Sequence, residues 1–258
     1  MIRRFLFTFC LMIGIATSVV ASDIRFVQVA EMSYAPDKQP ILEACVEDIN
    51  TLKNIDFVVF TGDNILSAKK DYLRGFLRTV KRLKSPVYLV IGDRDVSKEK
   101  GLNKESYREE SLLFLGFGQS LNPNYVFKKK GVVFIVVDGA KEFITAQNGY
   151  YKKDTLEWLD KQLTKYHNKN VVIIQHFPLI DGDVAERNAY KIDLYREMLA
   201  KHSNVSMVVS GHYNQNVEIV KDGVFHVVTP SYSSTKEYKV FDIPANQTDV
   251  YTQLRHVE

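Results

Sequence analysis

Four apolar residues run directly into a threonine, a glycine and an aspartate in the stretch Phe57-Val58-Val59-Phe60-Thr61-Gly62-Asp63. An apolar run of this length without polar alternation is typical of a strand that is covered on both faces. The glycine lets the backbone turn sharply, which places the aspartate at the carboxyl end of the strand. The same pattern recurs at residues 87–93, where Val-Tyr-Leu-Val-Ile precedes Gly92-Asp93. Both stretches predict buried strands of a parallel sheet that end in polar loops.

Longer amphipathic segments alternate with such strands along the chain. A strand predicted at residues 24–30 is followed by a helical pattern at 40–52, and a second helical pattern at 69–83 separates the two strands described above. Further helices are predicted at residues 104–113, 153–165 and 190–202, and further strands at 125–128, 132–137, 171–175, 205–210, 217–220, 224–228, 238–242 and 249–255. The alternation predicts an α/β fold with two sheets covered by helices, within a single domain over residues 22–258.

The composition is that of a packed globular protein. Of the 258 residues, 45% are hydrophobic and 25% are charged, which excludes wholesale disorder and low-complexity architectures. Lys and Arg number 34 against 31 Asp and Glu, which gives a net charge of +3. Because this excess is small and the basic stretches are short and separated, we expect no dedicated nucleic-acid surface.

The N-terminus has the layout of a secretory signal. Arg3 and Arg4 precede an almost unbroken apolar run, and Val19 and Ala21 carry small side chains at the positions that a signal peptidase reads. This layout predicts a signal peptide over residues 1–21, with an apolar run shorter than the ~20 residues of a bilayer-spanning helix. We therefore expect an exported protein, periplasmic or extracellular, with no stable membrane anchor after signal cleavage.

Carboxylate and imidazole side chains follow five of the predicted strands: Glu31, Asp63, Asp93, His176 and His212. Ligands of open α/β sheets bind outside the carboxyl ends of the strands, so surface charge alone does not explain these positions. A metal ion bound by all five side chains would explain them. Oxygen and nitrogen ligands suit Mn²⁺, Fe²⁺ or Zn²⁺, and no cysteine stands near these loops to make a thiolate-rich zinc site. Taken singly, Asp63 also fits a turn or helix-capping aspartate, and His176 a core histidine.

The order of these loops and the residues they contain resemble the pattern of the calcineurin-like metallophosphoesterases. The pattern of that family runs D-x-H, G-D, G-N-H-D/E, a lone H and G-H-x-H. The corresponding segments here are Glu31-Met32-Ser33, Gly62-Asp63, Gly92-Asp93-Arg94-Asp95, His176 and Gly211-His212-Tyr213-Asn214. The resemblance implies a four-layer α-β-β-α sandwich in which two adjacent metal ions, bridged by the aspartate of the G-D segment, hydrolyse phosphate esters.

The sequence departs from the family pattern mainly on one side of the implied centre. By the resemblance, the first ion would be held by Glu31, Ser33, Asp63 and Asn214, and the second by Asp63, Asp93, His176 and His212. A hydroxyl and an amide in place of two imidazoles weaken the first site, while the second keeps two carboxylates and two imidazoles. We therefore expect one tightly bound divalent transition-metal ion (Mn, Fe or Zn) and at most a weakly held second.

Arg94 stands where the family has a histidine that binds substrate and protonates the leaving oxygen. Arginine cannot act as a general acid near neutral pH, but its planar fork binds phosphate oxygens well. The leading hypothesis is an exported metal-dependent phosphoesterase that acts on a phosphorylated small molecule or a phosphodiester, with Arg94 as its substrate-binding catalytic residue. The alternative is a catalytically inactive protein of the same fold, a pseudoenzyme that binds a ligand or serves as a scaffold.

Overall fold

The computed structural model describes residues 23–116, 119–143, 147–246 and 249–258. The predicted signal peptide lies outside these residues. Among the described helices, none combines the length and the apolar character that a membrane crossing requires.

The first sheet has five strands in the order β11-β10-β1-β2-β3. Their bounds are β1 Ile24–Val29, β2 Phe57–Thr61, β3 Val87–Val90, β10 Glu237–Ile243 and β11 Tyr251–His256. The pairs β1/β2 and β2/β3 are parallel, and β10 joins β1 in the antiparallel sense. The carboxyl ends of β1, β2 and β3 therefore lie at one edge of this sheet.

The second sheet has six strands in the order β4-β5-β6-β7-β9-β8. Their bounds are β4 Tyr125–Lys129, β5 Val132–Val137, β6 Val171–Gln175, β7 Val205–Ser210, β8 Val217–Lys221 and β9 Val224–Val228. Strands β5, β6, β7 and β9 run parallel, while β4 and β8 close the two edges in the antiparallel sense.

Helices cover the outer faces of the two sheets. Their bounds are α1 Gln39–Thr51, α2 Lys70–Val80, α3 Lys104–Leu115, α4 Lys153–Lys165, α5 Ile192–Leu199 and the short α6 Tyr232–Thr235. The strand residues alternate between two cores, because successive side chains of a strand point to opposite faces. Val27 and Val58 face the helices, whereas Phe26 and Phe57 lie between the sheets.

A cluster of aromatic rings fills the space between the sheets. Phe26 stacks between Phe57 and Phe241, with ring centroids 4.7 and 4.5 Å away. Phe134 of the second sheet meets Phe57 edge to face at 5.0 Å. Stacked and edge-to-face rings each add to the free energy gained by burying their apolar area. The two sheets are thereby held face to face, which fixes the strand ends of one relative to those of the other.

The predicted α/β fold with two helix-covered sheets is confirmed, and the strand bounds agree closely. The helix predicted at residues 190–202 is shorter than expected, because Lys191 adopts a left-handed conformation with φ of 54° and the helix begins only at Ile192. The four-residue helix α6 was not predicted. It is too short for its hydrophobic periodicity to be recognised.

Candidate metal centre

All five of the predicted strand-end residues lie together at the carboxyl edges of the two sheets. Glu31, Asp63 and Asp93 follow β1, β2 and β3 of the first sheet, while His176 and His212 follow β6 and β7 of the second. Four of the five are at most 2% exposed, and only the Asp93 side chain reaches 10%. The first sheet thus supplies the carboxylates of the cluster, and the second sheet supplies its imidazoles.

The ligand atoms of four of these residues form a tight group. His176 Nε2 lies 3.1 Å from Asp93 Oδ1 and 3.6 Å from Asp63 Oδ1. His212 Nδ1 lies 3.2 Å from His176 Nε2 and 3.3 Å from Asp93 Oδ1. Ligand atoms that share one transition-metal ion at about 2.0–2.2 Å stand roughly 3.0–3.5 Å from one another. The distances from His176 Nε2 to its three neighbours, and that from His212 to Asp93, are therefore close to the range expected for ligands of a single divalent ion.

Backbone carbonyls fix which nitrogen of each histidine faces this group. His176 Nδ1 donates to Thr61 O at 2.8 Å, and His212 Nε2 donates to Arg187 O at 3.1 Å, since a carbonyl can only accept. The nitrogens that remain, His176 Nε2 and His212 Nδ1, are the two that face each other. Two nitrogen lone pairs at this distance repel each other unless a cation or a proton lies between them. Carbonyls that orient metal-ligating histidines in this way are common in metal sites.

Glu31 completes the cluster on the side of the first sheet. Its Oε1 accepts a hydrogen bond from the backbone N–H of His212 at 2.9 Å and lies 3.6 Å from His176 Nδ1. Glu31, His176 and His212 form a second group whose ligand atoms lie close enough for a metal ion. Burial and the neighbouring Asp63 carboxylate raise the pKa of Glu31 well above its ordinary value. A raised pKa favours the neutral carboxyl, so Glu31 becomes a carboxylate ligand only when a cation lies nearby.

The electrostatics of the cluster favour positive charge. Burial alone would lower the pKa of His176, but Asp63, Glu31 and Asp93 raise it to about 10. Burial alone would raise the pKa of Asp93, but the neighbouring His176 and His212 imidazoles lower it below its ordinary range. A pocket that holds a buried imidazole protonated in this way also attracts a metal ion.

Left-handed backbone conformations mark the same loops. Ten described non-glycine residues have positive φ, and five of them occupy predicted ligand positions: Glu31 (52°), Ser33 (45°), Asp63 (50°), His212 (70°) and Asn214 (59°). Such conformations are uncommon outside glycine and persist where the surrounding structure enforces them. Because five of the ten lie in these loops, the loop backbones are held in conformations that set the direction of these side chains.

Two glycines allow the loops to touch. A Cβ on Gly62, whose φ is 93°, would lie 2.4 Å from His176 Nδ1. A Cβ on Gly92 would lie 2.1 Å from the backbone nitrogen of Asp63. Close approach therefore requires a glycine before the aspartate in both segments, and at Gly62 the positive φ favours glycine as well.

Arg94 contacts both oxygens of the Asp63 carboxylate. Its Nε is 3.3 Å from Asp63 Oδ2, its Nη1 donates to Ser33 Oγ at 3.3 Å, and its backbone N–H donates to Asp63 Oδ1 at 2.9 Å. Ser33 thus holds the arginine side chain. Asn214 is exposed and lines a cavity of about 200 Å³ over the cluster, together with Asp63, Asp93, Arg94, Gln147, Arg187 and His212.

Two residues that contact the cluster or its loops were not predicted from the sequence. Arg187 lines the cavity, and its side chain donates to the carbonyl oxygens of His212 and Tyr213. No motif surrounds it, so no sequence signal could have found it. Asn64 is buried and donates to Asp95 Oδ2 at 3.0 Å. Its place directly after Gly62-Asp63 was the available signal.

Asp95 ties the loops after β2 and β3 together. It accepts hydrogen bonds from the backbone N–H groups of Gly92 at 2.8 Å and Ile65 at 3.0 Å, besides that from Asn64. Burial and the charge of Asp63 raise its pKa to about 7. With these three partners, its side chain supports the loop that carries Asp93.

Comparison with known proteins gives one family and a set of distant relatives. The family model of the calcineurin-like phosphoesterases matches residues 17–215. A probable glycerophosphodiester phosphodiesterase from Arcobacter nitrofigilis is 26% identical over 203 residues, which cover 76% of this chain and 71% of that protein. A probable cyclic nucleotide phosphodiesterase from Fibrobacter succinogenes is 22% identical over 186 residues, or 70% of this chain and 66% of that protein.

Solved structures agree on the fold. A dimetal phosphatase from Danio rerio superposes with a TM-score of 0.65 and 16% identity, covering 89% of this chain and 98% of that one. The GAP50 anchor of the Plasmodium inner membrane complex gives a TM-score of 0.60 at 14% identity, covering 92% and 90%. Because the family model matches well over half of the residues, this chain belongs to the calcineurin-like phosphoesterase family.

Proposed function

We propose that the chain is an exported, metal-dependent phosphoesterase whose centre binds one divalent transition-metal ion tightly, through Asp63, Asp93, His176 and His212. The observation that carries this proposal is that Asp63, Asp93 and His212 each place a ligand atom 3.1–3.6 Å from His176 Nε2, on the ring nitrogen that Thr61 O leaves free. The metal would be Mn²⁺, Fe²⁺ or Zn²⁺, because carboxylate and imidazole ligands suit these ions.

The chemistry divides between the ion and the chain. A divalent ion in such a site supplies Lewis-acid activation of water and of a phosphoryl oxygen. The chain orients the ligands, since the carbonyls of Thr61 and Arg187 hold the two imidazoles. Arg94 and Arg187 both line the cavity and can bind phosphate oxygens through their planar forks. Together these parts position an anionic ester beside the metal ligands.

The residues of the cavity also indicate which esters react well. Among the described residues that line it, the side chains are two carboxylates, one imidazole, two guanidinium groups and two amides. The carboxylates and the imidazole belong to the metal cluster, so none is free to protonate a leaving oxygen. We therefore expect esters of acidic alcohols such as nitrophenol to react fastest. The names of both curated relatives favour a diester substrate.

The test is hydrolysis of bis(4-nitrophenyl) phosphate and 4-nitrophenyl phosphate by protein loaded with Mn²⁺, Fe²⁺ or Zn²⁺. We expect turnover that depends on the added ion. The variants Asp93→Asn and His176→Ala should each reduce activity by more than the roughly 10–100-fold that loss of a metal site's outer partners costs. His167→Ala is the matched control, because it removes an exposed imidazole far from the cluster and should leave activity unchanged.

A folded protein that binds the ion and hydrolyses neither ester would overturn the enzymatic proposal and support the pseudoenzyme alternative. Export rests on Arg3, Arg4, Val19 and Ala21, so mass spectrometry of the exported chain should find Ser22 as its first residue. A cytoplasmic protein with an intact N-terminus would contradict export without affecting the proposed chemistry.

A further inference from the structure

The two oxygens of the Asp63 carboxylate serve different cations. Oδ1 faces the imidazole cluster, 3.6 Å from His176 Nε2, and also accepts the backbone N–H of Arg94. Oδ2 lies 3.3 Å from Arg94 Nε. The carboxylate therefore bridges the proposed metal position on one side and a guanidinium group on the other.

The guanidinium group is fixed on its own side of this bridge. Arg94 Nη1 donates to Ser33 Oγ at 3.3 Å, and Ser33 is itself 2% exposed and held by a hydrogen bond from its N–H to Asp63 O at 2.8 Å. The loops after β1 and β2 thus present a hydroxyl and a carboxylate oxygen to the same side chain. The Ser33 hydroxyl does not offer a metal ion the donor strength of the imidazole that the family pattern has at this position.

The formal charges of the cluster balance with one metal ion. Glu31, Asp63 and Asp93 bring three negative charges when ionised, and the imidazoles that serve as ligands are neutral. One divalent ion and the Arg94 guanidinium bring three positive charges. A second divalent ion would raise the sum to two positive charges around carboxylates and imidazoles that are at most 10% exposed, which costs free energy unless an anion offsets it.

We propose that the Arg94 guanidinium takes the place of a second metal ion, so that the centre consists of one divalent ion and one fixed organic cation joined by Asp63. This inference rests on the proposed function, because it assumes the metal ion among Asp63, Asp93, His176 and His212. With no second metal ion beside it, Arg94 can donate its remaining N–H groups to a phosphate oxygen in the cavity. A monovalent cation that cannot dissociate thus replaces an exchangeable divalent one.

The test counts metal ions in four proteins. Wild type, the double variant Ser33→His/Asn214→His, the same double variant with Arg94→Ala, and the same double variant with Arg187→Ala are each titrated with Mn²⁺ by isothermal calorimetry. Metal retained after desalting is then measured by mass spectrometry. Circular dichroism checks that each protein is folded. Arg187→Ala is the matched control, because it removes the other cavity arginine, for which the structure gives no contact with Ser33 or Asp63.

We expect one equivalent in wild type, one in the double variant that keeps Arg94, two when Arg94 is also removed, and one in the Arg187 control. Millimolar guanidinium chloride should compete with the second ion of the Arg94→Ala protein and leave the first ion in place. Two equivalents in wild type or in the double variant would overturn this inference and leave the metalloenzyme proposal standing. One equivalent in the Arg94→Ala protein would also overturn it. No bound metal in any protein would overturn both.

Discussion

At the scale of single residues, His176 connects the parts of the centre. Its Nδ1 donates to the carbonyl of Thr61, and its Nε2 lies within 3.6 Å of ligand atoms from Asp63, Asp93 and His212. The imidazole is wholly buried, and the backbone of Gly62 passes against it. The position of this ring, and through it that of any ion, therefore depends on the absence of a side chain at residue 62.

We predict that Gly62→Ala reduces metal affinity by about 10–100-fold, the range found when the support of a metal ligand is lost. The new methyl group would stand 2.4 Å from His176 Nδ1, so the ring must move and its bond to Thr61 O is lost. Mn²⁺ titration of the variant measures the change in dissociation constant.

Gly223→Ala controls for the cost of the backbone conformation. Gly223 has φ of 77°, close to the 93° of Gly62, but a Cβ there would meet nothing within 4 Å. We expect Gly223→Ala to lower the melting temperature while metal affinity stays at the wild-type value. Equal losses of affinity in both variants would show that backbone strain, and not displacement of His176, is responsible.

At the scale of elements, an ion-pair cluster joins α2 to α3. Glu110 of α3 is 5% exposed and accepts from Arg74 of α2 through both oxygens, at 2.8 and 2.9 Å, with Lys70 at 2.8 Å as a third partner. Hydrogen bonds from Arg74 chiefly, opposed by burial, lower the pKa of Glu110 to about 2. The charged carboxylate therefore links the two helices, and this link is lost when the carboxyl becomes protonated.

Glu110→Gln should lower the free energy of unfolding at pH 7 by about 1 kcal/mol, less than the roughly 1.5–3 kcal/mol of hydrogen bonds to charged groups, because Arg74 is half exposed and solvent screens the pair. The folded-state pKa lies below the ordinary 4.5, so the stabilisation is complete above about pH 4.5 and is lost as the pH falls through 2. Urea unfolding of both proteins between pH 7 and pH 2 measures the difference.

The difference between wild type and Glu110→Gln should shrink toward zero at the acidic end of that range. Glu47→Gln, at an ion pair whose carboxylate is 68% exposed, should change stability by no more than a few tenths of a kcal/mol at any pH. A difference for Glu110→Gln that stays constant with pH would contradict the assigned role of its charge.

Local sequence patterns predict the buried strands and the edge of the sheets where a ligand binds. Runs such as residues 171–175 identify buried strands because their apolar character is local, and the five polar residues after such strands identify the edge where a ligand binds. The contact of Arg94 with Ser33 and the bond of His212 to Arg187 O join segments that are 61 and 25 residues apart. Contacts of that kind depend on how loops from different strands meet, and no local pattern encodes them.

At the scale of the whole molecule, the centre lies across the junction of the two sheets. The carboxylates follow β1, β2 and β3, and the imidazoles follow β6 and β7. Neither sheet alone therefore supplies a complete set of ligands. The aromatic core of Phe26, Phe57 and Phe134 fixes the distance between the sheets. A metal ion there would join the two halves of the fold, and correct packing between the sheets is a condition for its binding.

We expect one metal ion to bind among Asp63, Asp93, His176 and His212. Crystals of the Mn²⁺-loaded protein, with anomalous diffraction recorded on both sides of the manganese absorption edge, would show where the ion lies. We predict one strong anomalous peak within bonding distance of those four side chains, with the Arg94 guanidinium beside Asp63 Oδ2. Loaded crystals with no anomalous peak at that position would contradict it.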